Sequence, residues 1–162
     1  MVDHVEVTTR RVEPGDYEGL ARFFEENNVV EVTRQFHPFP LDEETAHHIA
    51  CTNHLDRYYV ALFRDQLVGL CMLRGWDKGY SIPSFGILVD RHFQNRGLGT
   101  RMTKFAITEA RKLGCYQVRL SVYASNEVAL RVYASLGFIE SDRKSVLVMG
   151  QPDEKIIMIK DL

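Results

Sequence analysis

Cysteine is scarce and unclustered in this sequence. Cys51, Cys71 and Cys115 are odd in number and lack disulfide-framework spacing, which fits a reducing compartment better than an oxidising one. Charge of one sign is also missing: 20 Lys and Arg stand against 22 Asp and Glu, a formal net charge of -2. That balance gives no global field for a polyanion, so nucleic acid is not an expected partner. Long hydrophobic runs are absent too. The unbroken run from Leu70 to Leu73 is far short of the ~20 residues that span a bilayer. The opening MVDHVEVTTRR has an acid at its third position and no apolar stretch of signal-peptide length. The expectation is a cytoplasmic protein without a membrane partner. No repeat, linker or low-complexity tract divides the chain, so residues 1–162 read as a single domain. A globule of that length buries roughly two-thirds of its unfolded surface.

What is present is ordinary globular composition, 45% hydrophobic and 26% charged. Val5 to Val12 alternates loosely as a strand. Pro14-Gly15-Asp16 then turns the chain and caps a helix whose Tyr17, Leu20 and Phe24 recur at helical spacing to about Asn27. Asn28 to Leu41, with Pro38 and Pro40, predicts a structured loop. Asp42 caps a second helix, with Glu43 and Glu44 at its positive end, that should run to about His54. Arg57 to Phe63 and Leu67 to Leu73 flank Arg64-Asp65-Gln66 and predict a hairpin. A turn at 75–79 leads to a strand from Tyr80 to Val89, kinked at Pro83.

The second half is written differently. Leu98, Met102, Phe105, Ala106, Ala110 and Leu113 form an apolar stripe ended by Gly114, which predicts a long helix. Val118, Leu120 and Val122 alternate as a strand, so strand, helix and strand imply a right-handed parallel crossover. Asn126 to Leu136 predicts another helix, stopped by Gly137. Phe138 onward and Lys155 to Ile159 predict two more strands. The expected fold is α/β in the mixed α+β sense. Its central sheet is antiparallel in the first half and parallel across the unit at residues 84–122, with about four flanking helices.

The segment SFGILVDRHFQNRGLGTRM places strand, loop and helix start in succession. Gly97 and Gly99 lack a β-carbon, so backbone N–H groups around them can close on a phosphate at the positive end of the helix dipole, or they can serve a tight helix entry. Arg96 and Arg101 add charge, and Thr100 adds a hydroxyl donor. A P-loop requires a lysine and then Ser or Thr after its second glycine, and Thr100-Arg101 stands there instead. A dinucleotide fingerprint requires glycines directly after the strand and an acid near the end of the next one. Here Asp90 to Arg96 intervene, and the next strand ends in Ser121-Val122.

Gln94-Asn95-Arg96-Gly97-Leu98-Gly99 resembles the Q/R-x-x-G-x-G/A signature of the GNAT superfamily of N-acetyltransferases. Asn126 to Tyr133, followed by Leu136-Gly137-Phe138, resembles the later helix of the same superfamily. Together the two motifs cover residues 80 to 140. The resemblance implies acetyl-CoA as acyl donor, and the aromatic and polar loop Glu31 to Leu41 suits a small-molecule primary amine as acceptor (amino sugar, amino acid or polyamine). A protein or peptide amine is the alternative, and a non-catalytic CoA-binding regulatory module is a second one. It implies that backbone groups of Ile87, Leu88 and Val89 pair with the pantetheine arm. Amides of Gln94, Asn95, Arg96, Gly97, Leu98, Gly99 and Thr100 would bind the pyrophosphate. Asn126 would hold the arm from the other side, and Tyr133 would sit near the sulfur as acid for the leaving thiolate.

The base is less legible. Residues 80–89 contain no Glu, Asp or His, so Ser84 is expected to orient a water, with Glu31 and His37 as alternatives in the preceding loop. His47, Cys51 and His54 recur on one helical face, but three ligands on one straight helix cannot easily surround a metal, so no metal site is expected. Cys71 and Cys115 read as packing residues. Trp76 is expected as an exposed hairpin tip or as a contact for substrate or for a second subunit in a homodimer.

Overall fold

The structure, a computed structural model, describes residues 6–36 and 38–162. His37 lies outside the described residues. One seven-stranded sheet has the order β1-β2-β3-β4-β5-β7-β6. β1 (Val7–Arg11), β2 (Arg57–Phe63), β3 (Gln66–Arg74) and β4 (Ser84–Val89) form an antiparallel meander. Arg64 and Asp65 join β2 to β3 with φ of 48° and 65°, the backbone that a two-residue I′ hairpin requires. β4 begins at Ser84 rather than at Tyr80. The Tyr80 amide closes the preceding turn on the Gly75 carbonyl at 2.9 Å, and Pro83 has no N–H for a ladder.

β4 and β5 (Gln117–Tyr123) are the parallel pair, connected through α4 (Leu98–Lys112). Their contact is brief: Ser84 and Arg119 are the registered partners, and the Arg119 amide donates to the Pro83 carbonyl at 3.0 Å. After that the strands separate. The sheet then returns to antiparallel pairing through β7 (Gln151–Asp161) and β6 (Ile139–Val148).

The helices pack on both faces. α1 (Tyr17–Asn27) and α3 (Glu43–Cys51) cover one face, where Leu20, Phe23, Phe24 and Ile49 meet Leu70, Met72 and Leu88. α4 and α5 (Glu127–Ser135) cover the other, where Met102, Ala106 and Tyr133 meet Leu73, Phe85 and Leu120. Burying a side chain such as Met102 or Leu120 stabilises the fold by about 1.5–3 kcal/mol. Gly69 lets α4 close on β3, because a Cβ there would stand 2.7 Å from the Met102 sulfur. The segment expected as loop holds a single helical turn, α2 (Val30–Thr33), whose start is the Val29 carbonyl accepting from the Val32 and Thr33 amides.

α3 stops at Cys51, not near His54. The His54 ring folds back, with Nε2 at 3.0 Å from the Ile49 carbonyl and Nδ1 at 2.9 Å from the Asp56 carbonyl. The face drawn through His47, Cys51 and His54 therefore breaks before its third member. Trp76 is half-buried and packs against the α4 side of the core instead of forming an exposed tip. No helix among the described residues is long and apolar enough to cross a membrane.

Candidate active site

Where β4 and β5 part, a cavity of about 1050 Å³ runs through the sheet. Its walls follow from strand alternation. Gly86 and Leu88 share a face of β4 with Ser84, on the side of α1 and α3, while Phe85 and Ile87 point toward α4 and α5. Beyond Ser84 the edge of β4 toward β5 has no strand partner among the described residues. Backbone donors and acceptors on that edge are open to an extended ligand.

One end of the cavity is the turn between β4 and α4. Asn95 and Gly97 adopt left-handed φ of 61° and 76°, and Gly97 is the N-cap of α4. The first hydrogen bond of that helix runs from the Arg101 amide to the Gly97 carbonyl at 3.1 Å. The amides before it are the unpaired donors of a helix N-terminus. Gln94 Nε2 donates to the Val89 carbonyl at 3.1 Å, and Thr103 Oγ1 to the Gly99 carbonyl at 2.7 Å. Gln94, Asn95, Gly99 and Thr103 line the cavity; Arg96, Gly97, Leu98 and Thr100 do not. The Leu98 side chain belongs to the core at 6% exposure. Arg96 lies over the Phe93 ring at 5.0 Å, and Arg101 Nη2 donates to the Val7 carbonyl at 3.0 Å, which ties that charge to β1.

This turn is anchored by a buried pair that sequence reasoning missed. Asn27, fully buried at the end of α1, donates to the Asp90 carboxylate at 3.1 Å and to the Phe23 carbonyl at 2.8 Å. Its Oδ1 accepts from the Arg91 amide at 3.0 Å, and Asp90 accepts from the His92 amide at 2.8 Å. The partners are 63 and 64 residues apart in the chain, so no local pattern announces them. Arg91 and His92, also missed, line the cavity beside them.

The opposite wall is α5. Asn126 caps it, accepting from the Ala129 amide at 3.3 Å, and both Asn126 and Tyr133 line the cavity. Tyr133 sits edge-on to Phe85 and Phe138, with ring centroids at 6.2 and 5.8 Å. Burial in this apolar setting pushes its phenol up to about 12. Ser84, Ile87, Leu88 and Val89 line the cavity from β4, and Glu31 lines it from α2. Arg74 lines it from the end of β3, and its Nε is buried without a hydrogen-bond partner. Such an unmet donor costs about 1–3 kcal/mol, and more on a charged group. No local signal marks Arg74 in the sequence, since it ends an apolar strand in the way many surface arginines do.

The family model described as Acetyltransferase (GNAT) family matches residues 20–138. A [ribosomal protein bS18]-alanine N-acetyltransferase from Salmonella typhimurium is 38% identical over 76 residues, which is 46% of this chain and 51% of that protein. The chain thus spans about half the length of the curated relatives that it first matches. Among solved structures, an acetyltransferase of the GNAT family from Streptococcus pneumoniae superposes with a TM-score of 0.78 at 20% identity, covering 97% of this chain and 100% of that one. The yncA protein from Salmonella typhimurium, solved with its cofactor acetyl-CoA, superposes with a TM-score of 0.78 at 19% identity over 97% and 94% of the two chains. These likenesses establish the fold, and the match across residues 20–138 makes the chain a member of the acetyltransferase (GNAT) family.

Proposed function

We propose that this protein transfers an acetyl group from acetyl-CoA to the primary amine of a small molecule. The observation that carries the reading is the gap between β4 and β5, with an α-helix N-terminus at one end and a buried phenol on one wall. The residues fit the donor. A Cβ at Gly99 would meet nothing within 4 Å, so there is open space against the first turn of α4 where a diphosphate would lie. The open edge of β4, to which Ile87 and Val89 turn their backbone groups while Leu88 turns its own to Leu70 of β3, suits the amides of a pantetheine arm, with Asn126 across from it. Gln94 to Thr100 would hold the diphosphate through main-chain N–H groups, with Gln94, Asn95 and Gly99 lining the cavity and Arg96, Gly97, Leu98 and Thr100 set back from it.

Bound acetyl-CoA supplies the activated thioester, at whose carbonyl carbon the amine forms its new bond as the carbon–sulfur bond breaks. The Ile87 N–H, on the edge that faces the gap, would donate to the carbonyl oxygen as its charge grows, whereas the Leu88 N–H is turned to Leu70 of β3. Ser84 would hold a water that takes the proton from the amine, since β4 has no carboxylate or imidazole to do so. Tyr133 would donate to the departing sulfur. A free thiol titrates near ~8.5, below the phenol, but a thiolate in the same apolar slot is pushed up by the same desolvation, which narrows the mismatch.

A second reading places a protein N-terminus in the acceptor half, and the name of the Salmonella relative favours it. A thiol-release assay with acetyl-CoA separates the two readings, using amino sugars, amino acids and polyamines against peptides beginning with alanine. Turnover confined to the peptides would overturn the small-molecule reading.

A further inference from the structure

Arg74 lines the cavity at the Ser84 end of β4, away from the turn into α4, and its guanidinium is left without a full set of partners. It follows Met72 by two positions in β3, so it lies on the face covered by α1 and α3, beside its cross-strand neighbour Ser84. Its guanidinium is fixed there from several sides. Nη1 donates to the Pro38 carbonyl at 3.4 Å, the head lies over the Phe39 ring at 5.1 Å, and its charge reaches the buried phenol of Tyr58. What it lacks is an anion. Nε is buried with no hydrogen-bond partner, and no carboxylate of the described residues pairs with Arg74.

The rest of the lining points the same way. Lys155 faces the cavity from β7 on this side of the sheet, opposite to the buried Ile156, and among the described residues Glu31 is the one acid in the lining. A guanidinium held by a ring and a carbonyl, with no carboxylate of its own, can give the part of its head that lines the cavity to a carboxylate through charge-assisted hydrogen bonds. A diamine would instead set its second ammonium against two cations.

We infer that Arg74 receives a carboxylate carried by the acceptor itself, which makes the acceptor an amino acid rather than a polyamine or a neutral amino sugar. The inference rests on the acetyl-transfer reading above, with Glu31 as the group of opposite sign for the amine end. Arg74 selects the acceptor and takes no part in bond making.

The test uses matched acceptors, lysine against cadaverine and methionine against methioninamide, in the thiol-release assay. The carboxylate-bearing member of each pair should be preferred at least ~10-fold in kcat/KM, in line with a charge-assisted pair. Arg74→Met should abolish that preference chiefly through KM. Arg74→Lys should restore part of it, and Arg74→Glu should turn it toward cadaverine. Melting temperature and acetyl-CoA affinity by calorimetry, measured on each variant, separate lost selectivity from lost folding. If wild-type protein binds acetyl-CoA and acetylates both members of each pair equally, the inference fails while the acetyl-transfer reading stands. The same holds if Arg74→Met keeps the wild-type ratio. If no amine releases thiol, both fail together.

Discussion

A phenol packed edge-on between Phe85 and Phe138 is an ordinary core residue until its oxygen is considered, because burial holds its proton up to about pH 12. Replacing Tyr133 by Phe keeps both ring contacts and removes only the hydroxyl. Acetyl-CoA affinity should then change little, while kcat should fall by ~10²- to 10⁴-fold, the usual worth of a positioned proton donor. Single-turnover rates equal to wild type would leave the phenol a packing group. The raised value also has a thermodynamic sign. From about pH 10 to about pH 12 the unfolded chain releases a phenolic proton that the folded chain retains, so stability present below pH 10 is lost as pH rises. Tyr133 should account for about 2–3 kcal/mol of that loss. Urea unfolding of wild type and Tyr133→Phe at about pH 9 and about pH 12 measures it, with the difference shifting in favour of the variant at the higher pH. A difference that stays constant would mean that the phenol is hydrated.

At the level of elements, the turn from β4 into α4 is shaped by two different kinds of residue, and they predict different outcomes. Gly99 has open space around its missing Cβ, so Gly99→Val should leave the melting temperature nearly unchanged and weaken acetyl-CoA binding at least ~10-fold by filling the place proposed for the diphosphate. Unchanged affinity by calorimetry would take the turn out of the site. Asn27 is the reverse case: Asn27→Ala strips hydrogen bonds from Asp90, Phe23 and Arg91 together. It should cost about 2–4 kcal/mol in denaturant unfolding, because it leaves a buried carboxylate short of a donor. The two residues also differ in how legible they were. The stripe from Leu98 to Ala110 and the glycines before it lie within one element, where period and turn chemistry are local signals, and so do Asn126 and Tyr133 two turns apart on α5. Asn27, Asp90 and Arg74 matter through partners far away in the chain, and their neighbours in sequence say nothing of those contacts. β6 was only half visible for another reason: Ile139 to Leu147 is exposed or half-buried throughout, so an edge strand wet on both faces carries no alternation to read. The end of α3 was misplaced because His54 satisfies a helix carbonyl from outside the helix, a role that its spacing imitates as one more turn.

On the scale of the whole molecule, the sheet is two antiparallel blocks joined at one narrow place. β1 to β4 form one block and β5, β7 and β6 the other, and between them stand the Ser84–Arg119 register and the hydrogen bond from Arg119 to the Pro83 carbonyl. The remaining cohesion across the gap comes from α4 and α5, whose side chains share one core with both blocks. A ligand that lies along the unpaired edge of β4 and touches α5 would therefore bridge the blocks where the sheet itself does not. Because such a ligand binds the folded state alone, acetyl-CoA at ~1,000 times its Kd should add about 4 kcal/mol to stability. For a chain of this size that corresponds to roughly 8–16 °C in melting temperature. NAD at the same concentration should give almost no shift. The distribution of the effect tests the bridging argument separately from binding. Amide hydrogen exchange should slow most at residues 85–89 and 120–123, the two strand segments that face each other without pairing, and least in the β6–β7 hairpin beyond them. Protection spread evenly over the sheet would mean that the ligand stabilises the fold as one unit and that the gap is not a mechanical weak point. A larger shift with NAD than with acetyl-CoA would remove the donor assignment itself.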